Sequence, residues 1–345
     1  MRMSWSSVAS SKTLEEKIVM KNRQTQQDSL GRRPFLALAA ASLAMPLKAQ
    51  SWPDKPLRII VPFVPGGPPD AISRLIQGRL TEILGQPIVV DNRGGAGGSI
   101  GTKAVAKSAP DGNTILITSS AFVVNTSLPD AGYDAEKDFI PVTIAASQPN
   151  VIVSHPSLPV NTLPELIAMA KTTPMAFATP GQGTTPHLTA ENLFNITAKL
   201  NMTAIHYRGA GQAVGALVAG EPKVGCAAMT APLQNIKAGK LKALAVSSAK
   251  RLSILPDVPT LSELGFADML DYTWVGAFLP TGTPAAIQNK WYEALTKALS
   301  APDMQEKIKA MAFESIAESP AQTGEYVRSE IQRWAKVSKH LGMIP

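Results

Sequence analysis

The sequence predicts an α/β fold with mixed, mainly parallel sheets flanked by helices. Three observations predict it. From residue 57 onward, short apolar strands alternate with amphipathic helical stretches, the pattern of a parallel sheet. Glycine-containing loops join strand ends to helix starts at residues 62–70, 92–99, 180–187 and 207–213. The roughly 300 residues that carry this pattern are more than one hydrophobic core usually organises, so two domains are expected.

Residues 1–49 stand apart. Arg32-Arg33-Pro34-Phe35 precedes an uncharged run, LALAAASLAMPL, and then Lys48-Ala49. A charged segment, a short apolar segment and a small residue make an export signal, and the run is shorter than the ~20 residues of a membrane span. The Arg-Arg-x-Phe-Leu order resembles a twin-arginine signal, although Gly31 and Ala37 replace the usual polar flanks, and the general secretory route remains an alternative. The long polar stretch ahead of Met20 suggests that translation starts at Met20.

Charge and cysteine content then exclude classes. The chain carries 33 basic and 26 acidic residues, a net +7. Eight of the basic and three of the acidic residues lie in the signal, which leaves 25 against 23, or +2. No basic footprint for nucleic acid remains. The single cysteine, Cys226, can form no internal disulfide and reads as a small buried apolar residue.

Taken in order, Leu57 to Val61 is a strand ended by Pro62. A helix is expected from Asp70, with Pro68 and Pro69 excluding an earlier start, and Ile72, Leu75, Ile76, Leu80, Ile83 and Leu84 following helical spacing to Gly85. Strand Pro87 to Val90, a helix near Ser99 to Lys107 and strand Thr114 to Thr118 complete the first unit. A second unit follows: strand Val151 to Val153, helix Thr162 to Lys171, strand Met175 to Thr179, helix His187 to Ile196, strand Ala204 to Tyr207, helix Ala213 to Val218, and strands Val224 to Ala228 and Ala243 to Val246. After Trp274 the chain is expected to be helical, over 284–299, 302–311 and 320–340.

Each helix opening offers unpaired N–H groups and the positive end of a helix dipole. Four such openings around a cleft would suit a small anion, most simply a carboxylate. We read no nucleophile elbow and no histidine pair at metal-ligand spacing, so no catalytic residue, metal or cofactor is assigned. Gly66-Gly67 lacks the lysine of a phosphate loop, and Gly95-Ala96-Gly97 misses the spacing of a dinucleotide fingerprint. His187 could face the cleft or cap its helix, and His206 could lie in the core or on the cleft wall. Arg208 is a better ligand partner than Arg74, which lies one turn inside the first helix and is placed to form a structural ion pair.

The segments KPLRIIVPFVPGGPPDAISR, LGQPIVVDNRGGAGGSIG, PDGNTILI, YDAEKDFIPV, PGQGTTPHL, HYRGAG, AGKLKALAVSS, LPDVPTLSELG and LPTGTPAAI, in that order, resemble the Bug-type receptors. Those are periplasmic solute-binding proteins of the tripartite tricarboxylate transporter family. The resemblance implies a two-domain periplasmic-binding-protein (Venus-flytrap) fold with the ligand in the interdomain cleft. It implies domain 1 at 50–148 plus 275–345 and domain 2 at 149–274. It implies a monomer that binds a small carboxylate and hands it to membrane permease subunits; docking on a sensor kinase, or an exported hydrolase, are the alternatives. By position, Phe63, Gly66, Gly67 and Asp70 resemble the first-domain clamp, followed by Ser119 and Ser120. Gly181, Gly183, Thr184 and His187 match the second-domain loop. Tyr207, Arg208 and Gly209 match a Tyr-Lys-Gly position, with arginine for lysine. Two departures stand out: Gly94 where proline is common, which should loosen that turn, and Gly225 where aspartate is usual, removing an acceptor near the cleft wall.

Overall fold

The computed structural model describes residues 52–127, 131–267 and 269–342, so the expected export signal lies outside the described residues. The first unit forms β1 (Leu57–Val61), α1 (Pro68–Leu84), β2 (Ile88–Asn92), α2 (Ser99–Ala106), β3 (Thr114–Ser119) and α3 (Ala121–Asn125). β1 lies parallel to both β2 and β3. Its Leu57, Ile59, Ile60 and Val61 are buried, as a strand covered on both faces requires. α1 begins at Pro68, two residues before the expected start at Asp70. A proline in the first helical turn forfeits no intrahelical bond and its fixed φ is already helical, so the prolines open the helix instead of delaying it. The helix buries Ile72, Ile76 and Leu80 and stops at Gly85, whose φ of 69° suits a residue without Cβ.

Two strands depart from expectation. β4 runs through Phe139–Ser154, of which only 151–153 was expected, and β9 (Tyr272–Pro280) occupies a stretch expected to be helical. Pro141 and Pro149 look like strand breakers in sequence. Pro141 is accommodated where the β4 register shifts, between Pro141 and Thr143. β4 and β9 pair with each other antiparallel, and they join the two halves of the sheet. Residues 139–149 of β4 pair with β9, which also pairs with β3. Residues 150–154 pair with β7 (Val224–Ala228), and 151–154 with β8 (Lys242–Val246).

The second half holds α4 (Leu163–Ala170), β5 (Ala176–Thr179), α5 (Thr185–Glu191, continued by a π turn at Asn192–Thr197), β6 (Thr203–His206), α6 (Ala210–Ala219) and α7 (Leu233–Lys237). β5 is parallel to β6 and β7. After β9 come α8 (Ala285–Ser300), α9 (Pro302–Ala310), the short β10 (Glu314–Ser315) and α10 (Pro320–His340). The strand order is β2-β1-β3-β9-β4-β7-β5-β6. The sheet is mixed: parallel in both wings, antiparallel where β9 and β4 cross between them.

The apolar cores separate the same way. One pair of clusters joins β1, β3 and α1 to α8–α10, with Trp291 and Trp334 buried within it. The other pair gathers residues 151–269, including Phe177, Phe194 and fully buried Cys226. Only Leu188 from the second half enters the first pair. No helix among the described residues is long and apolar enough to cross a membrane.

Candidate functional site

The loop after β1, the end of β3, the loop after β5, the start of α6 and the start of β9 surround one small cavity. Phe63, Gly67, Pro68, Pro69 and Ser119 line it from the first half, Pro180, Thr184, Thr185, Pro186 and Ala210 from the second, and Ala228 and Thr273 form its floor. Its volume is about 30 Å3, room for a water or two. Three helices open onto it, α1, α5 and α6. The N–H groups of Gly67, Thr185 and Ala210, at those openings, have no acceptor among the described residues. The fourth expected opening, before α2, does not line the cavity. Gly97 there lies against the Gln182 carbonyl and accepts a hydrogen bond from Asn125 Nδ2 at 2.9 Å, joining the rim across the cleft.

Asp70 braces the first loop from below. Its Oδ2 accepts from Gly66 N–H at 3.0 Å, and its Oδ1 accepts from Arg74 Nε at 2.9 Å and Asn92 Nδ2 at 3.0 Å. Burial alone would raise its pKa. The hydrogen bonds from Arg74, Gly66 and Asn92 outweigh that and hold the carboxyl below its usual range. Gly66 therefore spends its N–H on Asp70, and Gly67 offers the free donor of that loop. The Asp70–Arg74 pair is the structural ion pair expected of Arg74. Asp70→Ala would strand a loop N–H and the Asn92 amide, and we expect a loss of about 2–3 kcal/mol of unfolding free energy in urea melts of the unliganded protein.

On the second half, Thr184 caps α5 through His187 N–H (3.4 Å), and its own hydroxyl donates to Gly181 O (2.8 Å). Gly181 and Gly183 have φ of 147° and 72°, which favour glycine. His187 is buried; its Nδ1 accepts from Gly183 N–H (3.3 Å), which places its proton on Nε2. Burial, and then the nearby His206 ring 4.6 Å away, push its pKa down to about 3, so it is neutral. His206 itself bonds Thr179 Oγ1 through Nδ1 at 2.8 Å.

Other expected residues lie elsewhere. Ser119 faces the cavity, whereas Ser120 sits behind it, fully buried, with Oγ 3.1 Å from Thr185 Oγ1. Tyr207 turns its hydroxyl to Glu221 O (3.2 Å), Arg208 is exposed, and Gly209 packs against Val64 on the rim. A Cβ on Gly94 would lie 2.8 Å from Val64 N, so this glycine permits a close approach and the turn is not loosened by space. A Cβ on Gly225 would point at Leu217 of α6 (2.6 Å), so a side chain there would enter the helix interface and not the cavity. Thr185, Ala210, Ala228 and Thr273, with the prolines Pro68, Pro69, Pro180 and Pro186, are the lining residues that sequence reasoning missed. It also passed over Gly97-Gly98-Ser99-Ile100-Gly101, which has the Gly-x-Ser-x-Gly spacing. An elbow turns directly from strand to helix, but here β2 ends at Asn92 and Ser99 begins α2, with no imidazole hydrogen-bonded to it.

Comparison with known proteins now becomes decisive. The tripartite tricarboxylate transporter family receptor (TctC) model matches residues 72–343. The chain belongs to this family. The TctC match covers every strand except β1 and every helix that opens on the cavity except the first four residues of α1. BugT of Bordetella pertussis is 38% identical over 310 residues, 88% of this chain and 95% of that protein. The structure of periplasmic binding protein BugD superposes with a TM-score of 0.82 at 32% identity, covering 85% and 99% of the two chains. MatC from Rhodopseudomonas palustris, solved with bound malate, gives 0.79 at 30% identity, covering 83% and 99%. An R. palustris relative solved with adipate gives 0.81 at 32%, covering 84% and 98%. The chain is thus a solute-binding receptor of the Bug type with a two-domain periplasmic-binding-protein fold.

Proposed function

We propose that the protein, exported to the periplasm, captures a small carboxylate between its two halves and delivers it to the membrane permease of a tripartite transporter. The observation that carries this reading is the convergence of three unpaired helix N-termini on one cavity. A carboxylate oxygen accepts from Gly67, Thr185 and Ala210 N–H while the three dipoles add positive potential. The malate and adipate held by its relatives are of this chemical class.

Residues 50–148 with 275–345, and 149–274, act as the two domains, hinged where β4 and β9 cross. Ligand bridges them and supplies the free energy of closure, since only differential contacts shift such an equilibrium. Phe63, Gly67, Ser119, Thr184 and His187 hold the ligand. Gly66 and Asp70 shape the first loop, and Gly181, Gly183, Tyr207, Arg208 and Gly209 shape the second jaw and its rim. The closed form presents a joined rim for the permease to recognise.

The test is a thermal-shift screen with mono-, di- and tricarboxylates against neutral solutes of equal size. Ligand at a hundred times its Kd adds about 2.7 kcal/mol to unfolding, so one carboxylate subset is expected to raise Tm by several degrees. Stabilisation by neutral solutes alone would overturn the reading.

A further inference from the structure

A chain of buried polar groups runs from the cavity floor through the hinge to α10. Ser120 Oγ is 3.1 Å from Thr185 Oγ1, which is 2.7 Å from Thr273 Oγ1. Thr273 Oγ1 is 2.7 Å from Asn150 Oδ1, and Asn150 Nδ2 is 3.0 Å from Asp271 Oδ2. Thr189 Oγ1 also donates to Asp271 Oδ2, at 2.6 Å. All six residues are buried.

The directions of these bonds follow from elementary bookkeeping. A carboxylate oxygen only accepts, so Asn150 must turn its NH2 to Asp271 and its carbonyl to Thr273. Thr273 has one proton and gives it to Asn150; it must then accept from Thr185. Thr185 spends its single proton on Thr273 and so accepts from Ser120. Both lining hydroxyls, Thr185 and Thr273, thus spend their protons within the chain and turn none toward the cavity. Thr185 and Thr273, which line it, have only lone pairs left to offer.

We infer that Asp271, acting through Asn150, is a positioning residue that turns the cavity floor into a hydrogen-bond acceptor, so that the receptor selects hydroxycarboxylates over their keto counterparts, whose carbonyl oxygen only accepts. The inference rests on the carboxylate reading above and deepens it: backbone N–H groups take the carboxylate, and the floor takes the ligand's hydroxyl proton. The polarity survives protonation of Asp271. Arg333 Nη2, 3.7 Å from Oδ1, can only donate, so an added proton sits on Oδ2 and is given to Thr189 Oγ1, whose own proton turns to the Thr185 carbonyl at 2.9 Å, while Asn150 Nδ2 goes on donating to Oδ2. Arg333 and Glu330 of α10 are the charged groups that face it, with Tyr326 of α10 and Cys226 of β7 the other titratable neighbours.

Isothermal titration of the unliganded protein with two matched pairs tests this: malate against oxaloacetate, and lactate against pyruvate. Within whichever pair fits, the hydroxylated member is expected to bind roughly tenfold more tightly, the worth of one well-placed hydrogen bond. Asp271→Asn keeps its carbonyl toward Arg333, presents NH2 to Asn150 and reverses the chain, so the ratio should fall to near one. Thr273→Val, close to Thr in shape, frees the Thr185 proton for the ligand and should do the same, while Thr273→Ser keeps the ratio. A role in folding alone would weaken both members equally and leave the ratio unchanged, which would overturn the inference. Equal binding of both members by the natural sequence would overturn it while leaving the carboxylate reading intact. Failure of all four acids to bind, with neutral solutes binding instead, would remove both.

Discussion

Gly211→Ala is expected to weaken carboxylate binding by roughly tenfold to a hundredfold while leaving the unliganded fold as stable as before. Gly211 lies in the first turn of α6 and its φ is not in the left-handed region, so alanine suits its backbone and its helix. What alanine does not suit is the opposite jaw. Its Cβ would sit 2.6 Å from the Pro65 carbonyl oxygen, and Gly66 Cα lies behind it at 3.7 Å. Gly209 faces Val64 in the same way: a Cβ there would meet Val64 Cγ2 at 2.7 Å. In the proposed two-domain closure the jaws part without ligand, so the clash falls on the closed form alone. Overpacking of this kind costs about 1–3 kcal/mol, and all of it is subtracted from binding. Titration calorimetry with a ligand identified in the thermal screen measures the loss, and urea melts of the unliganded protein measure stability. Unchanged affinity would mean that the rim contact plays no part in binding. Gly78→Ala, in an open position on α1, serves as the control.

How much of this was legible follows the distance over which each signal acts. Thr184 three residues before His187, and prolines ahead of Asp70, are local patterns, and the structure puts their loops on the cavity. Ser119 and Ser120 were both candidates by resemblance; adjacent residues at a strand end face opposite ways, and the structure turns Ser119 to the cavity. Tyr207 looked like a cleft residue, but a phenol seeks an acceptor, and the Glu221 carbonyl supplies one away from the cavity. Thr273, Asn150 and Asp271 carried no local signal. They meet Thr185 only because β4 and β9 cross at the hinge, and the prolines of β4 hid that crossing. Fold class was therefore readable from periodicity, and the jaws from loop chemistry. The floor depended on long-range strand pairing.

His187→Asn should make the protein progressively more stable than the natural sequence as pH falls. Two buried groups titrate abnormally, in opposite senses. His187 has its pKa pushed down to about 3 by burial and by His206, from an ordinary value of 6.5. Below pH 6.5 the unfolded chain takes up a proton that the folded one refuses, so the stability His187 contributes above 6.5 is lost on acidification toward 3. Asp271 has its pKa raised by burial to about 7, from 3.8; bonds from Thr189 and the charge of Arg333 only partly counter this. Between 7 and 3.8 the folded state holds the extra proton, so its contribution is fully present below 3.8 and is lost as pH rises through 7. Each slope is about 1.4 kcal/mol per pH unit, and between pH 6.5 and 4 they oppose each other. Asparagine can accept from Gly183 N–H as His187 Nδ1 does, but does not titrate. The gap between variant and natural protein should therefore widen by about 2–3 kcal/mol from pH 6.5 to 4.5, with Asp70 and the other carboxylates common to both. Asp271→Asn should show the reverse, losing stability more steeply on acidification. Denaturant melts at pH 6.5, 5.5 and 4.5 check both variants, and parallel profiles for all three proteins would show that neither side chain keeps its abnormal protonation in solution. Opposed titrations of this kind let a neutral imidazole under the second loop and a buried carboxyl behind the cavity floor offset each other across the mildly acidic range.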